Sequence, residues 1–156
     1  MDTEQMTATQ VYEEYKDDML KLIRYLPWLE SKSGQSVSST YSQDGVGEHS
    51  LAFPVYDGTL MNFVKDAQTT KFMDRNYRYV LTRNRLNTVR DRLDFVEAQN
   101  ILKIGNIGAI LSEYVMGGQT RARMWSEAMN YGIFLEIVRK LKELYDFWEN
   151  AAGDKN

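Results

Sequence analysis

The sequence predicts a mostly α protein: a compact single domain of about five to seven helices over residues 1–150, with a frayed tail at 151–156. Two apolar stripes carry that prediction. Val11, Tyr12, Tyr15, Met19, Leu22, Ile23 and Leu26 recur three to four residues apart, with Glu13, Glu14, Lys16, Asp17, Asp18 and Lys21 between them. That spacing gathers apolar groups on one helical face. Ile133, Phe134, Ile137, Val138, Leu141, Leu144, Tyr145 and Trp148 form a second stripe, opposed by Glu136, Arg139, Lys140, Glu143, Asp146 and Glu149. Such a face must be buried against neighbours. A chain of 156 residues is long enough to bury about 70% of its unfolded surface, so it needs no metal or disulfide for stability.

The first stripe predicts a helix that starts at Thr7, by its capping-box spacing to Gln10, or at Thr9. It ends at Pro27 and residues 31–34. Residues 31–53 read SKSGQSVSSTYSQDGVGEHSLAF, too rich in serine and glycine for a helical period, and a loop is the plain reading. The Asp44-Gly45 turn signal, between 37–41 and 50–53, admits a small β-hairpin within 36–53. Asp57 then caps a helix that buries Leu60, Phe63, Val64 and Ala67, and Asp74 opens another with Tyr77, Val80 and Leu81 inward. Leu86, Val89, Leu93 and Val96 continue the pattern, as a further helix or an extension of that one. Residues 104–115 are an apolar helical run; Met124, Trp125 and Met129 point into the core, and Asn130 and Gly132 tolerate a left-handed turn before the last helix. Leu20, Tyr25, Leu135 and Phe147 lie outside the main stripes, which predicts that some of them cover neighbouring helices or form a homodimer contact.

Composition narrows the chemistry. There are no cysteines, which removes disulfides, thiolate metal sites and thiol nucleophiles and fits a reducing, cytoplasmic setting. No apolar run approaches the ~20 residues of a membrane span, and the acidic N-terminus lacks a signal-peptide pattern. The net charge of −3 confines any nucleic-acid contact to a local patch. The single histidine, His49, rules out a two-histidine metal site, and a solvated loop histidine is its plain reading. No phosphate loop or dinucleotide fingerprint occurs. The paired carboxylates Glu13–Glu14 and Asp17–Asp18 lie on the polar side of an amphipathic helix, where solvation explains them. No catalytic residue, metal ligand or cofactor is assigned.

Three stretches remain. IGNIGAIL, at 104–111, resembles the Ile-Gly-x-x-Gly loop of KH-type RNA-binding domains; the plainer reading is that Gly105 and Gly108 let a helix start or approach a neighbour closely. From Lys71 to Arg92 there are seven basic residues (Lys71, Arg75, Arg78, Arg83, Arg85, Arg90, Arg92) against two acidic ones, Asp74 and Asp91, a net +5 with Tyr77 and Tyr79 interleaved. Residues 1–30 carry a net −4, so the two segments can attract each other; a solvated or internally paired arginine face is the plainer reading, and arginines that grip phosphate are the alternative. In VMGGQTRARMWSEAMNYG, at 115–132, Thr120 is read as a helix cap, which puts Arg121 and Arg123 in the first turn against the positive end of the helix dipole. That arrangement calls for a negative partner, either an acidic side chain or a bound anion.

The pattern of Gly117, Trp125 and Gly132, followed by an aliphatic helix containing LKEL at 141–144, resembles a family of small bacterial and phage helical domains of unknown function. YLPWLE at 25–30 and FPVYDGTLMNFV at 53–64 are similar to that family's leucine-proline-aromatic segment and helix start. The family's Gly-Glu-Arg-Phe after the first glycine is replaced here by Gly118, Gln119 and Thr120. The resemblance implies a compact helical domain without an assigned activity. The expectation is therefore a non-catalytic binding or interaction module of a bacterium or phage, with a protein partner or a second copy and no membrane contact; residues 115–132 read most plainly as punctuation between packed helices, with a small anion near Arg121 and Arg123 as the alternative. A nucleic-acid-binding accessory protein using the Lys71 to Arg92 face is the alternative, and an enzyme of unidentified type is third.

Overall fold

A computed structural model describes residues 3–33, 38–39, 55–121 and 123–153. The order is α1 (Thr3–Ile23), α2 (Leu26–Lys32), β1 (Ser38–Ser39), β2 (Val55–Tyr56), α3 (Gly58–Gln68), α4 (Tyr77–Arg83), α5 (Val89–Glu97), a 3-10 turn (Ile101–Lys103), α6 (Ile104–Gly117), α7 (Met124–Asn130) and α8 (Ile133–Gly153). Eight α-helices among the described residues exceed the expected five to seven, because the first stripe and the basic segment each divide. α8 runs to Gly153, into the segment read as a tail, and 154–156 lie outside the described residues.

The two stripes pack on each other. α1 buries Tyr12, Met19 and Leu22 against α8, which buries Ile133, Phe134, Ile137, Val138, Leu141 and Leu144 and also receives α2, α5, α6 and α7. The first helix starts four residues before the predicted Thr7 cap, at Thr3. Pro27 does not end a helix; after a break at Arg24 and Tyr25 it sits in the first turn of α2, where its missing N–H has no intrahelical partner to lose. The 36–53 hairpin is corrected in its second strand: Ser38 pairs with Tyr56 and Ser39 with Val55, antiparallel, so the return strand falls beyond Phe53. The Asp44-Gly45 turn lies outside the described residues.

Local chemistry accounts for the helix starts. The Asp57 carboxylate accepts from the Thr59 amide at 2.7 Å, and α3 buries Leu60, Phe63, Val64 and Ala67 as expected. Asp74 takes the Asn76 amide at 2.8 Å in the turn before α4, which begins at Tyr77 and holds Tyr77, Val80 and Leu81 half-buried. Thr88 and Asp91 form a reciprocal capping box at α5.

Gly105 and Gly108 lie inside α6, not in a loop. A Cβ on Gly108 would stand 2.6 Å from the Phe72 carbonyl oxygen, so the close-approach reading holds. The Ser112 hydroxyl accepts from the Asp74 amide at 2.8 Å and has the Gly108 carbonyl within donating distance at 2.7 Å. It ties the 70–74 turn to α6 where glycine lets the two backbones meet. Tyr25 covers Phe63 edge-on with ring centroids 5.3 Å apart, and Leu135 packs against the core, whereas Leu20 and Phe147 are exposed. Among the described residues, no helix is long and apolar enough to cross a membrane.

Candidate functional site

α6 is buried on nearly every side from Ile107 to Val115, so a charge there is costly unless it is paired. Glu113 is paired. Its Oε1 accepts from Arg92 Nε of α5 at 2.6 Å and its Oε2 from Arg92 Nη2 at 2.8 Å. Arg92 Nη1 also donates to the Thr88 carbonyl at 2.9 Å, which fixes the guanidinium to its own helix. The two side chains are only 15% and 12% exposed, and the fork-on-fork geometry is what makes the pairing strong. The bond to Glu113 raises the Arg92 guanidinium above its ordinary value.

This pair lines a cleft bounded by α4, α5, α6, α7 and the 118–121 turn. One hollow, of about 550 Å3, adds Asn87, Val89, Tyr114, Arg121, Arg123, Met124 and Glu127; an adjoining one, of about 470 Å3, adds Tyr77, Arg78, Leu81, Met116 and Thr120. Glu113, Arg121 and Met124 line both. Four arginines against two glutamates give the cleft a net +2.

The turn after α6 brings Arg121 and Arg123 there. The Arg121 amide and the Thr120 hydroxyl both donate to the Gly117 carbonyl, at 2.8 and 3.2 Å. Trp125 is buried and its Nε1 donates to the Val115 carbonyl at 3.2 Å. The Trp125 ring lies where a side chain on Gly118 would be, with Nε1 2.0 Å from the Cβ position. Gly117 faces the flexible end of Met124, and Gly132 takes the left-handed φ of 76° that ends α7. The Thr120 cap is corrected: α7 begins at Met124, Arg123 occupies the N-cap without a side-chain cap bond, and Arg121 lies before the helix. Glu127 supplies the acidic group of the first turn, so the helix dipole makes no demand on Arg121.

The arginines singled out in the sequence fall into two groups. Arg78, Arg92, Arg121 and Arg123 meet in the cleft. Arg90 pairs with Asp94 at 3.2 Å, Arg83 lines a separate hollow of about 190 Å3 with Tyr79, Lys103 and Asn106, and Arg75 and Arg85 are exposed on either side of α4. Of the segment's arginines and lysine, Lys71 meets the acidic first helix, where its amide donates to Asp18 at 3.0 Å and its Nζ to the Glu14 carbonyl at 3.1 Å, while the neighbouring Phe72 stacks on Tyr15 at 5.2 Å. Among the described residues, Arg78, Arg121 and Arg123 have no carboxylate within ion-pair distance. Arg78 lies 5.9 Å over the Tyr77 ring.

Tyr114 is 5% exposed, yet its hydroxyl makes no hydrogen bond to a described residue. Burial first, then the neighbouring Glu113, pushes its pKa up to about 12, so the phenol remains a donor at physiological pH. The sequence did signal Glu113: it is the single charged residue between Lys103 and Arg121, and a lone charge in an apolar helix needs a partner. Nothing in the sequence singles out Tyr114. His49 lies outside the described residues, and among the described residues no three histidine or acidic side chains are grouped to hold a metal ion. No family model, curated protein or solved structure matches this chain.

Proposed function

We propose that the chain is a non-catalytic binding module, of the bacterial or phage kind its C-terminal pattern resembles, and that the α4–α7 cleft binds an anionic ligand. One observation carries this reading: Arg121, Arg123 and Arg78 border two adjoining hollows with no carboxylate within ion-pair distance among the described residues, while the buried Glu113 beside them is fully engaged by Arg92. Guanidinium groups held ready on a structured rim suit oxyanions, and the hollow's volume is that of a small-ligand site.

The test is thermal melting with phosphate or sulfate. An anion bound only to the folded form at a hundredfold excess over its Kd adds about 2.7 kcal/mol, which raises the melting temperature by about 5–10 °C in a chain of this length. Arg121→Ala or Arg123→Ala is expected to abolish the rise while leaving the anion-free stability within about 0.5 kcal/mol. An anion-induced rise that survives both changes would refute the assignment. The nucleic-acid reading has one observation of its own, the 67% exposed Tyr79 on the α4 face that carries Arg83. A random oligonucleotide in the same assay at low salt separates the two: stabilisation lost in Arg83→Ala but retained in Arg121→Ala favours the second reading.

A further inference from the structure

The two hollows share Glu113, Arg121 and Met124, and each adds a guanidinium of its own without an ion pair, Arg123 in the first and Arg78 in the second. Glu113 answers neither, since Arg92 holds both of its oxygens. What remains in the first hollow is Arg121 and Arg123 against Glu127; what remains in the second is Arg78 and Arg121, with no other acid in its walls. Among the described residues, none of these three arginines has a carboxylate within ion-pair distance. Arg78 comes from a different element, α4, where it lies over the ring of Tyr77, itself in the wall of the second hollow. Like charges brought together from separate elements repel each other. A single oxyanion engaged by Arg121 and Arg123 in the first hollow leaves Arg78 in the second unanswered.

We infer that the cleft takes a ligand with two anionic centres on one short chain, the chemistry common to a diphosphate group and a dicarboxylate, with one centre on Arg121 and Arg123 in the first hollow and the other on Arg78 in the second. This rests on the anion-binding reading of the same cleft and adds to it the second centre and the part of Arg78. Arg121, which lines both hollows, serves both seats. Guanidinium forks take phosphate and carboxylate oxygens alike. A second centre tied to the first binds at the local concentration its linkage sets, so it adds affinity without a second association step. Two negative charges also match the cleft's net +2.

Calorimetric titration with two series tests the assignment: inorganic phosphate against diphosphate and triphosphate, and acetate against succinate and glutarate. In at least one series a longer member is expected to bind about tenfold more tightly than the one-centre member, and the series that shows it identifies the source of the charges. Arg78→Ala should remove that advantage and leave the Kd of the one-centre anion unchanged. Arg75→Ala takes the same charge from an exposed residue that lines neither hollow, and should keep the advantage. Arg75 and Arg78 are both exposed, and melting curves of the unliganded variants show that each is folded. Longer anions that bind no more tightly than one-centre ones in both series overturn the inference. So does an equal loss of advantage in Arg78→Ala and Arg75→Ala, the mark of bulk charge, or an Arg78→Ala variant that weakens phosphate as much as diphosphate. If phosphate affinity is still lost in Arg121→Ala, the anion cleft then stands without the second centre. If no anion binds in an Arg121-dependent way, both fall.

Discussion

The α1–α8 seam and the α4–α7 cleft are built from the same three kinds of side chain, a tyrosine, a basic residue and a glutamate, and they end in opposite states. In the seam, the buried Tyr12 donates to Glu149 and Lys16 pairs with the same carboxylate at 3.1 Å. There the tyrosine, the lysine and the glutamate answer one another within the fold. In the cleft, Arg92 takes both oxygens of Glu113, the Tyr114 hydroxyl makes no hydrogen bond to a described residue, and the guanidiniums of Arg78, Arg121 and Arg123 line the hollows without an ion pair among the described residues. Burial raises both phenols' pKa values, so burial does not distinguish them. The difference is the number of acceptors. One glutamate for one tyrosine and one lysine closes a contact, while two glutamates among four arginines and a tyrosine leave donors over.

The largest effect expected of breaking this contrast is at Glu113. Glu113→Ala strands the half-buried Arg92 and should cost about 3 kcal/mol in urea unfolding, near the lower end for a broken buried pair because some water reaches it. Replacing both partners, as Arg92→Met with Glu113→Leu, should recover most of that loss. A single-variant cost under about 1 kcal/mol would mean that the pair behaves like a surface contact.

The next test compares the tyrosines. Tyr114→Phe should leave stability within about 0.5 kcal/mol, since its hydroxyl has no partner, while Tyr12→Phe should destabilise the chain at neutral pH. The Tyr12 effect should also depend on pH. Glu149 is held below its ordinary value of 4.5 by the Tyr12 bond first and Lys16 second, Asp66 below 3.8 chiefly by the Tyr25 hydroxyl with Arg24 adding to it, and Asp91 below 3.8 by the Asn87 and Thr88 amides. The unfolded chain takes up protons at the ordinary values, before these native carboxylates do. Their contribution is therefore complete above about pH 5 and is lost as the pH falls below 4 toward the depressed native values. Tyr12→Phe should flatten that acid slope and Tyr114→Phe should not; equal slopes would contradict the contrast.

The smallest effect concerns the cleft rim. Arg85 adopts φ 55°, the one positive φ of a non-glycine among the described residues. Its amide donates to the Thr82 carbonyl at 3.2 Å and the next amide, Leu86, to Leu81 at 2.9 Å, the crossed bonds that end a helix on a left-handed residue. Arg85→Gly should stabilise the chain by about 0.5–1 kcal/mol, since glycine carries no Cβ penalty there. If the variant also keeps its anion affinity, the strained turn is only a helix stop; a loss of affinity would give it a part in placing Asn87 in the cleft.

Much of the fold was legible because helix faces and caps are local. The two stripes fell on α1 and α8, Asp57 capped α3, and Gly132 supplied the left-handed turn. The misreadings came where one residue suits two local roles. Pro27 stops a helix or opens one, depending on whether the chain breaks just before it, and that break follows from how Tyr25 docks on Phe63. Thr120 has the chemistry of a cap, but its hydroxyl is taken by the Gly117 carbonyl once Trp125 closes over Gly118. The site was half legible. Arg121 and Arg123 stood out beside the glycines, yet their companions Arg78 and Arg92 were grouped with Arg75, Arg83, Arg85 and Arg90 because adjacency in the chain was the only guide.

Sequence alone determined which residues form helices and which face of each is apolar, because periodicity, caps and turn residues act within a few residues of one another. Tertiary structure alone decided which charges are spent. The Arg92–Glu113 pair joins residues 21 apart, and Tyr12 meets Glu149 across 137. A guanidinium looks the same in the sequence whether a carboxylate waits for it or not. Only the packing of α5 on α6, set by buried apolar surface, ties Glu113 to Arg92 by two bonds and leaves Arg121 and Arg123 with no carboxylate within ion-pair distance among the described residues.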